Sequence, residues 1–222
     1  MRGDRQIPLG RRRFARTDGR RADSGARLPS TAHTDRPWRI HELTPDFRLE
    51  DVWGLRTPGG ADDFPRLVEQ IVAGDPAHGS SRAARGLWAI RWKLGALLGW
   101  DDPGSGLGGR VHAVRDRLPA DLRDAPGPDF TVLPFTPLYL IADEFAAEIA
   151  NRTVHGVLHV GWVPDAPGRY HGQIAVLVKP NGVLGRSYLA AIRPLRHWIV
   201  YPTVMREIER RWRADSSGSR RT

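Results

Sequence analysis

The chain contains no cysteine, so disulfides and thiolate metal sites are excluded. No apolar run approaches the ~20 residues that a membrane-spanning helix needs. The N-terminus lacks the uninterrupted apolar core of a secretion signal, and a soluble cytoplasmic protein is expected. Several catalytic fingerprints are missing as well. The stretch Gly104-Ser105-Gly106-Leu107-Gly108-Gly109 has neither the preceding strand nor the Gly-Lys-Ser/Thr end of a phosphate loop. No dinucleotide-binding glycine pattern and no Gly-x-Ser-x-Gly elbow occurs. No cofactor and no metal is expected.

The formal net charge is +9 over 222 residues, but it is unevenly placed. Residues 1–36 hold ten arginines against four aspartates, a surplus of six. Residues 214–222 add one more, which leaves +2 for residues 37–213. A nearly neutral body offers no basic groove, so nucleic-acid binding by the folded part is not expected. Residues 1–36 have almost no apolar pattern and cannot bury enough to offset ordering entropy. They read as a disordered, dispensable basic arm, whose binding to nucleic acid or anionic lipid is a minor reading. One domain over residues 37–213 and a disordered tail at 214–222 complete the division.

Within the body, Ile40–Leu43 reads as a helical turn. Phe47, Leu49, Trp53 and Leu55 share one parity and suggest a first strand. Asp62-Asp63-Phe64-Pro65 starts a short helix whose stripe is Leu67, Val68, Ile71 and Val72, closed by Gly74 and Pro76. A second helix follows from Ser80 or Ser81 to Gly99. The segment from Asp101 to Pro134 is long and irregular, pinned by Val111, Val114, Leu118 and Leu122; a buried Arg–Asp pair around Arg115-Asp116-Arg117 would order it. Phe135–Ile141 is a strand interrupted by Pro137, hence an edge. Asp143–Ala150 fits helix or strand.

The centre of the chain is a hairpin. Thr153–Val163 and Tyr170–Val178 are rich in β-branched and aromatic residues, with Pro164–Gly168 as the turn. Apolar residues on both parities imply a sheet covered on both faces. The last stretch, Ser187–Arg213, is helical with two stripes displaced by one residue, and Pro194 and Pro202 demand a kink. Trp198 and Trp212 are expected in the interior.

This order of elements resembles the helix-grip fold of the START-like (SRPBCC) superfamily. More closely, residues 44–213 resemble an uncharacterised bacterial family of unknown function that also occurs fused to short-chain-dehydrogenase-like proteins. The likeness rests on Asp51-Val52-Trp53, Pro58-Gly59-Gly60, Asp62-Asp63-Phe64-Pro65, Arg91–Gly95, Leu98–Asp101, Arg115–Leu118, Glu148–His155 and Val178–Gly182. It implies an α+β fold, with an antiparallel sheet wrapped around a long, kinked C-terminal helix and two short helices after the first strand. It also implies a hydrophobic cavity between sheet and terminal helix.

The candidate site residues are His155, Val157, His159, Asn151, Arg152, Trp162 and Trp198. His155 and His159 share a strand face but stand roughly 13 Å apart, too far to share a zinc whose ligands lie at ~2.1 Å. Hydrogen-bonded histidines of the core or of a cavity wall are the leading reading, on the side facing the terminal helix. Either could also act as acid or base, because imidazole titrates near neutrality. A domain binding a small hydrophobic or amphipathic molecule is therefore the expectation. The alternative is a cavity enzyme of cyclase, hydratase or isomerase type using a hairpin histidine.

Overall fold

The computed structural model describes residues 25–74, 112–151 and 154–218. They form an α+β fold around a six-stranded antiparallel sheet. The strands are β1 (Ala26–Arg27), β2 (Arg48–Gly54), β3 (Thr136–Leu140), β4 (Glu144–Ala150), β5 (Val154–Ala166) and β6 (Arg169–Pro180), in the spatial order β1-β2-β6-β5-β4-β3. The β5–β6 hairpin sits in the middle, as its apolar parities require. Its loop is Pro167-Gly168, with Gly168 at φ 70°, which suits a Pro-Gly turn. Asp143–Ala150 resolves as strand: both its neighbours are strands, and pairing outweighs the helix preference of Ala and Glu. Pro137 lies in edge strand β3, beside a register shift.

Cross-strand partners point the same way, so the register sorts side chains into two faces. One face carries Trp53, Ile174, Val160, Trp162 and Phe145, packed against α3 (Phe64–Val72) and the terminal helix through Met205, Ile208 and Trp212. The other carries Val52, Ala175, Leu177, Val157, Val163 and Ala146, covered by Trp38, Ile40, Leu43, Val114, Leu118 and Leu122. The cover comes from α1 (Thr31–Thr34), α2 (Ile40–Leu43), the 3₁₀ turn Val114–Arg117 and α4 (Ala120–Arg123). Thus Val114, Leu118 and Leu122 do fasten the irregular segment, while Val111 and the expected helix at 80–99 lie outside the described residues.

The terminal helix runs as α5 (Gly182–Leu195), a π-helical segment (Arg196–Val200) and α6 (Tyr201–Gly218). A π-turn carries one residue more than an α-turn. That insertion explains the one-residue offset between the two apolar stripes, and the π-segment lies between Pro194, inside α5, and Pro202, at the second residue of α6. No described helix is long and apolar enough to cross a membrane.

Three expectations need correction. Residues 25–36 belong to the fold rather than to a disordered arm. β1 pairs with β2, the Gly25 amide donates to Glu209 Oε1 at 2.8 Å, and His33 is buried. Polar contacts hold this segment, which is why an apolar pattern missed it. At the other end, α6 continues to Gly218, with Ser216 Oγ donating to the Trp212 carbonyl at 2.8 Å. Trp198 is 82 % exposed, whereas Trp212 is buried as expected.

Candidate functional site

His155 and His159 project from one face of β5 and are both buried. That face is opposite the terminal helix, which corrects the expected side. Val160 and Trp162, on the other parity, meet Met205, Ile208 and Trp212 instead. Large aromatics at Trp162 and Trp212, with ring centres 6.0 Å apart, fix the choice because only one parity of β5 accommodates them.

Each imidazole finds a glutamate on β4, displaced diagonally by the same two residues. His155 Nε2 lies 2.8 Å from Glu148 Oε2, and His159 Nε2 lies 3.2 Å from Glu144 Oε2. Each carboxylate also receives the backbone amides that open a short helical element. Glu148 accepts from Val114 and Arg115 at 2.8 and 3.2 Å. Glu144 accepts from Arg39 and Ile40 at 2.7 and 3.3 Å, and from the Tyr139 hydroxyl at 3.0 Å. These acceptors satisfy amides that a helix start leaves unpaired. Burial alone would raise the Glu144 pKa, but the His159 hydrogen bond, the Arg39 amide and the Tyr139 hydroxyl outweigh it and hold the group below the usual glutamate value.

The network continues into the N-terminal segment. His33 Nε2 is 3.2 Å from His159 Nδ1, and His41 Nε2 is 3.1 Å from His33 Nδ1. An ionised carboxylate only accepts, so His159 donates to Glu144 through Nε2, His33 to His159, and His41 to His33. The order requires a neutral His33. Burial, followed by the neighbouring His159 and His41, pushes its pKa down to about 3. The three rings face one another in sequence rather than a common point, and no metal-holding group of His, Cys, Asp or Glu occurs among the described residues.

Of the other candidates, Val157 lies between the two histidines on the same buried face. Asn151 closes the β4–β5 turn, its Oδ1 accepting from the Val154 amide at 3.0 Å. Trp162 stacks on Tyr170 across the sheet's other face and donates to the Gly60 carbonyl at 2.9 Å. Trp198 is on the surface, and Arg152 lies outside the described residues. The structure therefore unites His155, Val157 and His159 and separates the rest. Arg117 does order its segment through an ion pair, but the partner is Asp46 at 2.9 Å rather than Asp116, and the pair is part-exposed.

Sequence reading missed Glu144, Glu148, His33 and His41. A signal existed: Glu144 and Glu148 repeat the four-residue spacing of His155 and His159 on the preceding strand. It missed a second cluster too. On the helix-facing side of β2, Asp51 has a side chain 0 % exposed; its Oδ1 lies 3.2 Å from Arg27 Nε and 2.6 Å from His197 Nε2 in the π-segment. Neither Asp51 oxygen is hydrogen-bonded, and the buried Trp53 Nε1 has no acceptor. An open surface recess of about 520 Å³ runs along this edge, lined by charged Arg27, Arg48, Glu50 and Asp51 among others.

Sheet, terminal helix and buried polar ladder define an α+β protein with a two-sided antiparallel sheet. The chain belongs to the family described as "Protein of unknown function (DUF2867)", whose model matches residues 43–203. No curated protein and no solved structure matches the chain.

Proposed function

We propose that this protein is a helix-grip domain that binds a small hydrophobic or amphipathic molecule between the sheet and its terminal helix. One observation carries the reading. Leu158 and Val176 are cross-strand partners at the centre of the sheet, on the side that faces the helix, yet both are only part-buried. One step along the same face, Val160 and Ile174 are fully buried. Central apolar side chains left incompletely covered beneath a helix make a natural floor for an apolar ligand. The row continues from Val176 to the buried Asp51, so the floor is apolar in the middle and acidic at one end. A molecule with an apolar body and a polar end matches it.

The alternative, a cavity enzyme using His155 or His159, gains nothing from this geometry. Both rings lie on the opposite side of the sheet, and both Nε2 atoms engage buried carboxylates. The test is fluorescence titration with 1-anilinonaphthalene-8-sulfonate, alongside native mass spectrometry for a co-purified ligand. Saturable dye binding is expected, weakened at least about tenfold by Leu158→Trp, which fills the floor. Absence of dye binding to the folded wild-type chain, or indifference to Leu158→Trp, would refute the reading.

A further inference from the structure

We infer that Asp51, Trp53 and His197 form the polar end of the ligand site and select a molecule carrying a hydroxyl group on an apolar or aromatic body. The inference rests on the ligand-binding reading and names the ligand class. Asp51 and Trp53 lie two residues apart on β2, so their side chains share the helix-facing side. A register shift between Leu49 and Asp51 bends the strand there, a device that re-aims a side chain. Across from them, His197 projects from the π-turn, a helix irregularity frequent at functional sites. The Tyr201 ring joins the group, with its centre 5.7 Å from Trp53 and 6.3 Å from His197.

What sets this cluster apart is its hydrogen bonding. Asp51 Oδ1 is held in charge contact by His197 Nε2 at 2.6 Å and Arg27 Nε at 3.2 Å, whereas Asp51 Oδ2 and Trp53 Nε1 are buried with neither a hydrogen bond nor an ion-pair contact. An orphaned buried polar group is costly, so several at one place mark a missing partner. The chemistry of that partner follows from the inventory. The Asp51 carboxylate accepts only and calls for a donor; the Trp53 indole donates only and calls for an acceptor. An ionised carboxylate or phosphate would bring no proton for Asp51 to accept. An ammonium would leave the indole unsatisfied. A hydroxyl serves both, and the adjoining Val176–Leu158 floor prefers one attached to an apolar body over water alone.

The test compares 2-naphthol with 2-methoxynaphthalene by isothermal titration of the full chain at about pH 7, where a phenol with a pKa near 10 keeps its proton. Expected is a preference of at least about tenfold for 2-naphthol, since a site built for a hydroxyl rejects its ether. The preference should fall to about twofold or less in Asp51→Ala and in Trp53→Phe. Trp53→Phe keeps most of the ring and serves if Asp51→Ala does not fold. Equal affinities in the wild-type chain, or a preference surviving both substitutions, would overturn the inference. If the anilinonaphthalene dye binds but neither naphthalene does, the hydroxyl site falls and the ligand-binding reading stands. If no apolar probe binds, both fall.

Discussion

The two faces of the sheet treat buried polar groups in opposite ways. On the histidine face, all four carboxylate oxygens of Glu144 and Glu148 accept hydrogen bonds, several from backbone amides. Among the described residues two buried side-chain atoms there are unpaired, Trp38 Nε1 and Gln173 Oε1; they are a neutral donor and a neutral acceptor beside Gly161. On the helix face, the Asp51 carboxylate, Trp53 Nε1 and His197 Nε2 are buried without hydrogen bonds next to apolar side chains that are only part-covered, and Arg66 Nε, Gln70 Oε1 and Glu209 Oε2 are unpaired elsewhere on it. A satisfied polar network specifies structure, whereas an unsatisfied one beside open apolar surface awaits something. The most conspicuous histidines of the sequence therefore belong to the architecture, and the less conspicuous His197 belongs to the proposed site.

The largest expected effect breaks the histidine face at its carboxylate. Glu144→Ala removes the acceptor of four hydrogen bonds and leaves their donors buried, so urea unfolding should show a loss of about 3–5 kcal/mol or failure to fold. A loss below about 1 kcal/mol would mean that the network contributes little. Next comes a pair of tryptophans in the terminal helix. Trp212 is buried, donates to the Pro58 carbonyl at 3.1 Å and lies under the Arg66 guanidinium at 3.7 Å, so Trp212→Ala should cost about 3–5 kcal/mol. Trp198→Ala should cost less than about 0.5 kcal/mol, because the exposed ring loses nothing on truncation.

The N-terminal segment gives an intermediate effect. A chain beginning at Thr34 loses β1, the Gly25–Glu209 contact and His33, and its melting temperature should fall by several degrees relative to the full chain. An unchanged value would return the segment to the status of a dispensable arm. A graded effect is expected in pH dependence. His33 has a folded pKa near 3 against 6.5 when unfolded, so the unfolded state binds the extra proton. Stability is then full above about pH 6.5 and declines as pH falls from 6.5 toward 3, by up to about 1.4 kcal/mol per pH unit. The lowered Glu144 adds to the decline at the acid end. Unfolding measured from pH 7 to 4.5 should show a shallower slope for His33→Gln, and an unchanged slope would remove His33 as the cause.

Much of this organisation is legible in local pattern. The paired apolar parities of Thr153–Val163 and Tyr170–Val178 place the hairpin at the sheet centre, and Asp63, Pro65 and Gly74 bound α3. The one-residue slip between the stripes of the terminal helix already contains the π-turn. The failures share a cause. Which face of β5 meets the helix is decided by bulky partners distant in sequence, because both parities are apolar. The attachment of residues 25–36 depends on single polar contacts, His33 to His159 and Gly25 to Glu209, that leave no periodic trace. Asp51 and His197 are 146 positions apart, and no spacing rule links them.

Photolabelling with a naphthyl diazirine, mapped by peptide fragmentation, tests most directly which face of the sheet holds the ligand. Adjacent residues of β5 point to opposite sides, so the labelled residue names the face. Labelling of Leu158, Val176 or Tyr201, blocked by excess 2-naphthol, is the expected result. Labelling of His155, Val157 or Leu177 instead would place the ligand on the histidine face and contradict the assignment.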